Sequence, residues 1–335
     1  MFFVLSGYVL SKPYASSTEN KSPRKIFLPT FYLRRFTRIW LPWFFVFIAS
    51  IFAKFFFFSH PLTNPAVSDW LNQFWRFPLT VGDFLRQCLF LLHDSSRQLL
   101  NQDWSLGVEL KGSLLIPFFL LLIQRKRLFW IYALAAIFLL CLHTGHYYVS
   151  FIIGVLLARY GAQITARLSK FEFNHKLLLL VLGLLLYQGL NVVVRFWGEW
   201  WPLYKCGWAI TSLGCAMVLL SAFASERIQK FLNHKFVVFL GKISYSVYLV
   251  QFIVILCLLP VIIHWANGCG IVQRPILFPL ALLISISATF LGATGTYYLI
   301  EVPSIRLGYW LTKKIQDRFQ HQEFSVKAKL SAKNN

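Results

Sequence analysis

Apolar runs of roughly membrane-crossing length, separated by short hydrophilic gaps, dominate this chain and leave it few folds to choose from. A helix that crosses a bilayer needs about 20 apolar residues at about 1.5 Å of rise each. The runs that meet this are Ile39–Phe58, Ser105–Ile123, Leu128–Leu142, Leu177–Val194, Gly207–Ala224, Ile243–Ile263 and Ile276–Ile300. Tyr147–Tyr160 is shorter, but it sits between hydrophilic gaps and keeps the alternation of sides intact. Phe84–Leu92 is too short to span and reads as an interfacial or re-entrant piece of the long loop Ser59–Asp103. Of 335 residues, 57% are apolar and only 13% charged, about half the roughly 25% charged share of an ordinary soluble domain. One soluble core of this length does not hide so much apolar surface behind so few charges. A soluble enzyme, a disordered chain and a small disulfide scaffold are excluded, and the expected fold class is an all-α, polytopic integral membrane helix bundle.

Met1–Leu10 is apolar from its first residue, yet ten residues of helix reach only about 15 Å of a hydrocarbon layer about 30 Å thick. It has no basic leader and no small-residue cleavage site, so it is not a signal peptide. It reads as the second half of a helix whose beginning is missing, which makes about nine transmembrane segments with the first incomplete. Of the 33 Lys and Arg, 24 lie in residues 12–38, 124–127, 159–176, 225–236 and 303–335, against six in 59–104, 143–146, 195–206 and 264–275. Cytoplasmic loops carry such an excess. The first set is therefore expected inside, with a cytoplasmic C-terminus and the protein in the cell inner or plasma membrane. The net charge of +21 then faces an anionic leaflet. A nucleic-acid binder clusters its cations on a soluble face, so no nucleic-acid partner is expected. The cysteines Cys88, Cys141, Cys206, Cys215, Cys257 and Cys269 show no C-x-x-C pair or metal spacing and read as small apolar fillers.

Ionisable and polar groups inside a membrane are costly and mark candidate sites. Arg34, Arg35 and Arg38 lie at the cytoplasmic mouth of a span. Their spacing of three and four places two or three guanidinium groups on one helix face, a geometry that suits phosphate. Plain positive-inside anchoring is the simpler explanation on composition, weakened by three arginines and no lysine within five positions. The stretch Asp103-Trp104-Ser105-Leu106-Gly107-Val108-Glu109 enters a span from the outer side, with Ser105 and Glu109 on one face. A carboxylate one turn into hydrocarbon must be paired, hydrated or protonated; a glutamate that snorkels to the outer headgroups is the alternative.

Gly241, Ser244, Tyr245 and Tyr248 fall within an arc of about 100° on a helix, with Gln251 at its edge. This stripe should face protein or a cavity, and ordinary helix packing competes as its explanation. At the cytoplasmic end of the last span, Pro303 is expected to stop the helix, while Glu301 and Arg306 are placed to pair with the basic first loop or simply to end the helix. The histidines lie outside the middles of the spans; apart from the pair His143 and His146 none has company, so no metal site and no catalytic histidine is assigned.

Six short stretches stand in a suggestive order: Phe2-Phe3-Val4-Leu5-Ser6-Gly7-Tyr8; Arg35-Phe36-Thr37-Arg38-Ile39-Trp40-Leu41-Pro42; Trp104-Ser105-Leu106 with Glu109; Phe151-Ile152-Ile153-Gly154; Leu240-Gly241-Lys242-Ile243-Ser244-Tyr245-Ser246-Val247-Tyr248-Leu249; and Glu301 with Pro303. Together they resemble the membrane-bound acyltransferase 3 family, whose members O-acylate sugars of lipopolysaccharide, exported polysaccharides and related carriers. The resemblance covers residues 1–310, leaving 311–335 as a basic cytoplasmic tail expected to be disordered. It implies acyl-CoA (acetyl-CoA) as donor substrate with no bound cofactor, a carbohydrate acceptor, and a bilayer as solvent. Donor phosphates would lie near Arg35 and Arg38, helped by Arg34. Glu109, Ser244 and Tyr248 would be catalytic, and Trp104, Ser105, Tyr245 and Glu301 would bind substrate.

The resemblance also implies that the chain starts at the family's second helix, without counterparts of a first-helix arginine and histidine. Losing a general base typically costs about 10²–10⁴ in rate, so the chain as it stands is expected to be nearly inactive. Gln251 stands where a histidine is common, and Leu110-Lys111-Gly112 replaces an aromatic-rich continuation, differences that bear on acceptor and acyl group. The alternatives are a transporter or flippase for a lipid-linked saccharide, although no inverted repeat or pair of broken helices is visible, and an inactive family remnant.

Overall fold

The computed structural model describes residues 1–15, 27–57, 74–89, 98–124, 146–197, 207–269 and 274–333, and nearly all of them are helical. The helices are α1 (Phe2–Ala15), α2 (Leu28–Phe57), α3 (Val81–Cys88), α4 (Asp103–Gln124), α5 (His146–Leu168), α6 (Phe173–Trp197), α7 (Gly207–Ala224), α8 (Glu226–Leu232), α9 (Lys235–Gly268), α10 (Arg274–Thr296), a π turn (Tyr297–Glu301) and α11 (Val302–Lys333). This is an all-α polytopic membrane bundle. Among the described residues, six helical stretches are long and apolar enough to cross a membrane: Leu28–Phe57, Asp103–Leu121, Tyr147–Leu168, Gly207–Ala224, Lys235–Ala266 and Ile276–Phe319. Within α6 the apolar stretch Phe173–Gly189 is shorter. The expected span Leu128–Leu142 lies outside the described residues.

Two expectations are corrected at the helix ends. Pro303 does not stop the last span; the chain passes through the π turn directly into α11. A proline lacks a donor and its ring collides with the carbonyl four residues back, and the wider π turn accommodates both defects in place of a break. The tail 311–335, expected to be disordered, is helical to Lys333, because its Lys, Gln and Ala residues favour helix and it extends a helix already nucleated. Helix α2 likewise begins at Leu28, well before the apolar run at Ile39, and its 30 residues span about 45 Å. The arginines Arg34, Arg35 and Arg38 therefore lie on a helix throughout.

The chain divides into two compact units, residues Met1–Leu28 with Val108–Val238 and residues Pro29–Gly107 with Phe239–Asn335. In the first, glycines set how closely helices approach. A Cβ on Gly7 of α1 would stand 2.5 Å from the carbonyl oxygen of Phe151 on α5, and one on Gly154 would land on the carbonyl oxygen of Val4. Between α6 and α7, a Cβ on Gly183 or Gly214 would meet the other's carbonyl oxygen at 2.9 and 2.7 Å. Helices in lipid gain little from hiding apolar surface from one another, so small residues that admit close packing hold them together. Val4, Leu157, Cys215, Ala216 and Leu219 form the core of this unit, where Cys215 serves as the small filler the sequence suggested.

In the second unit, α3 runs back along α2. Lys54 donates to the carbonyl of Phe77, the rings of Phe47 and Phe84 lie 5.6 Å apart, and the Trp40 indole donates to the carbonyl of Cys88 at 3.0 Å. Contacts at 54, 47 and 40 with 77, 84 and 88 show that the chain from Phe77 through α3 runs antiparallel to α2 and reaches its middle at Trp40. Its start is sealed by a capping box, with Thr80 Oγ1 accepting from the Asp83 amide at 3.1 Å and Asp83 accepting from the Thr80 amide at 3.4 Å. At the base, the indole of Trp75 donates to the carbonyl of Leu99 at 2.8 Å and Gln87 accepts from the Leu99 amide at 2.9 Å.

Overpacking a close helix crossing costs about 1–3 kcal/mol or more. Gly154→Leu is therefore expected to lower the thermal unfolding midpoint of the detergent-solubilised protein. Gly189→Leu, whose Cβ meets open space, should leave it in place.

Candidate functional site

Within the second unit, α2 presents its arginines along α11. A Cβ on Gly308 would strike the Thr37 hydroxyl, so the two helices meet closely there. One turn towards the start of α2, Arg34 donates from Nε to Thr312 Oγ1 at 3.1 Å and lies over the Tyr309 ring at 4.9 Å. Arg34 and Arg38 are exposed, whereas Arg35 is buried. Of the two or three guanidinium groups expected to share a face, Arg34 and Arg38 are exposed, one turn apart, and Arg35 is turned into the unit. Glu301, at the end of the π turn, is only 3% exposed and accepts from Ser246 Oγ at 2.6 Å. Arg38 is close enough to act electrostatically on this carboxylate.

A second polar cluster gathers where α4 begins. Asp103 is buried and accepts from the Trp43 indole at 2.7 Å. Its other oxygen, Oδ2, has no hydrogen-bond partner among the described residues. Gln102 donates to the carbonyls of Tyr248 and Leu249 at 3.1 and 2.8 Å. The hydroxyls of Ser105 and Tyr248 hydrogen-bond to each other, and Tyr245 donates to the carbonyl of Ile39 at 2.6 Å. Two hydroxyls sharing one hydrogen bond leave a donor and lone pairs for a third oxygen, such as a sugar hydroxyl or an acyl carbonyl. Among the described residues no three of His, Cys, Asp and Glu come together to hold a metal ion.

In the first unit, Glu109 is buried and accepts from Ser6 Oγ at 3.2 Å. The Phe151 ring packs beside it on α4, where a Cβ on Gly112 would collide with that ring. Three of the recurring sequence stretches, around Ser6–Gly7, Glu109 and Phe151–Gly154, therefore meet in this unit.

Of the residues singled out from sequence, Ser105 and Tyr248 are brought together. Trp104 is exposed. Ser244 is exposed too, and its hydroxyl donates to the carbonyl of Gly241 on its own helix at 2.9 Å. The stripe expected on α9 is also divided, since Gly241 and Ser244 face outward while Tyr245 and Tyr248 reach other elements. Sequence reading missed Ser246, Trp43, Gln102 and Ser6 as partners. Ser246 lies two residues, about 200°, round the helix from Ser244, off the stripe that drew attention. For Trp43 and Gln102 the available signal was only that a buried Asp103 would need a donor.

Helices of membrane length and apolar composition define an integral membrane protein. The acyltransferase 3 family, described as an acyltransferase domain, matches residues 1–298. The chain belongs to this family and carries its acyltransferase domain. No curated protein and no solved structure matches it.

Removing the donor from a buried carboxylate costs about 1–3 kcal/mol. Trp43→Phe should lower the unfolding midpoint of the solubilised protein more than Phe47→Leu, a swap that leaves the Asp103 hydrogen bond in place.

Proposed function

We propose that the protein moves an acyl group, acetyl in the first instance, from acyl-CoA to a sugar hydroxyl of a cell-surface polysaccharide or lipid-linked glycan. The observation that carries this reading is the pair of exposed arginines Arg34 and Arg38 one turn apart on α2, the first held against α11 by its bond to Thr312. They suit the phosphates of a cytosolic thioester, because guanidinium groups form strong charge-assisted bonds to phosphate oxygens. In the reaction the sugar oxygen attacks the thioester carbonyl, the carbon–sulfur bond breaks, and the coenzyme leaves as its thiol with the proton that the sugar gives up. The Ser105–Tyr248 hydroxyl pair is suited to hold the acceptor oxygen or the carbonyl. Placing the arginine end of α2 in the cytoplasm follows from the distribution of Lys and Arg and puts the C-terminus on the same side.

Membranes from cells expressing the gene from its own locus should transfer label from acetyl-CoA to glycan. A charge-assisted bond contributes about 1.5–3 kcal/mol, so Arg38→Ala should reduce that transfer by at least about tenfold while inserting normally. Glycan carried across the membrane without covalent change would point to a transporter. A variant keeping Cys269 as its sole cysteine should react with an impermeant maleimide in intact cells, and labelling only after the cells are opened would reverse the orientation.

A further inference from the structure

The hydroxyl pair of Ser105 and Tyr248 has a third member, Gln102, which bonds to it from both ends. Gln102 stands immediately before α4, is only 5% exposed, and lies in the same unit as α9. Its carbonyl closes the first turn of α4, accepting from the amides of Ser105 at 3.1 Å and Leu106 at 3.4 Å. The same carbonyl accepts from Ser105 Oγ at 3.0 Å, a local bond that serine hydroxyls make to a carbonyl three residues earlier. The Tyr248 hydroxyl lies 3.5 Å from it, the long limit for a hydrogen bond. The side-chain amide of Gln102 crosses to α9 and donates to the carbonyls of Tyr248 and Leu249 at 3.1 and 2.8 Å. One residue thus holds the tyrosine's backbone with its side chain and the hydroxyls with its carbonyl.

The arrangement has a direction, set by its protons. A hydroxyl carries one proton and two lone pairs. Ser105 directs its proton to the Gln102 carbonyl, the closer of the two hydroxyls to it, so Tyr248 donates the bond between the hydroxyls. Were the order reversed, with Ser105 donating to Tyr248 and Tyr248 to the carbonyl, both protons would still be taken up within the trio. A ligand therefore meets oxygen lone pairs. Ser105 is buried and Tyr248 half-buried, so the oxygen it meets is the tyrosine's. A thioester carbonyl has no proton to donate there, whereas a sugar hydroxyl has.

We propose that Gln102 commits the Ser105–Tyr248 pair to the alcohol acceptor of the reaction, as a positioning and specificity-determining residue that acts through Tyr248. Its carbonyl draws the pair's protons inward and its side-chain amide fixes the tyrosine against α4. The acceptor's hydroxyl then donates to Tyr248 Oη, and substrate contact is left to the tyrosine. Hydrogen bonds in such a chain strengthen one another, and an oxygen oriented in advance loses less freedom when the alcohol binds. This inference rests on the reading of the protein as one that acylates a sugar hydroxyl.

The test uses the solubilised protein produced from its own locus, with acetyl-CoA as donor and the glycan-bearing membrane extract of the same cells as acceptor. Tyr248→Phe and Gln102→Met should each raise the KM for the extract by about tenfold, equivalent to about 1.4 kcal/mol. The KM for acetyl-CoA should stay within about twofold. In the Tyr248→Phe background, Gln102→Met should add no further rise, whereas a purely structural glutamine would add its own. No transfer by the unsubstituted protein would remove the reading of acetyl transfer to a sugar hydroxyl, and this inference with it. Transfer by Tyr248→Phe with an unchanged KM for the extract would overturn the assignment to the alcohol. A raised KM in Tyr248→Phe beside a wild-type KM in Gln102→Met would overturn the positioning role alone. Should Gln102→Met not insert, Ser105→Ala decides the question because it breaks the proton chain: a raised KM for the extract supports the proposal and an unchanged one overturns it.

Discussion

Inside hydrocarbon a polar side chain has no water to fall back on, and this one constraint ties the helices of the protein together. Trp43 satisfies an oxygen of Asp103, Ser246 satisfies Glu301, and Ser6 satisfies Glu109. Each bond joins residues 55 or more positions apart, so each fixes one helix against another in depth and rotation. Lipid and protein interior are equally apolar, and hydrophobic burial cannot do this by itself. The glycine crossings at Gly7 with Phe151 and at Gly183 with Gly214 supply the matching shape. Packing decides how near the helices come, and hydrogen bonds decide which residues meet.

The same constraint explains why the polar residues coincide with the candidate chemistry. Buried carboxylates and hydroxyls weaken a membrane helix unless partnered, and in this acyltransferase domain they concentrate at the start of α4, the middle of α9 and the π turn of the last span. The arginines belong to the other regime. Arg34 and Arg38 are exposed on the part of α2 that precedes its apolar run.

Much of this was legible from the chain. The apolar runs gave the helices, Gly207–Ala224 to the residue. The lengths of α2 and α11 were not legible, because hydropathy marks where lipid contact ends and a helix need not end there. Ser244 and Ser246 show a second limit. A helical wheel gives angles between residues, and amphipathicity normally says which side is inward. Helix α9 carries hydroxyls on opposite sides, Ser244 and Ser246 lying about 200° apart, so its sequence did not distinguish the face that meets Glu301 from the face that is exposed.

The sequence by itself determined that the chain lives in a bilayer as an all-helical bundle, which residues are too polar for that setting, and to which family it belongs, because these follow from composition, run length and short local patterns. Only the tertiary structure decided that Pro303 bends the last span into a π turn without ending it, that Ser246 and not Ser244 meets a carboxylate, and that Arg34 and Arg38 lie outward while Arg35 is turned in. These outcomes depend on contacts between segments far apart in the chain, and in a uniformly apolar environment no local pattern encodes which neighbour a helix face will find.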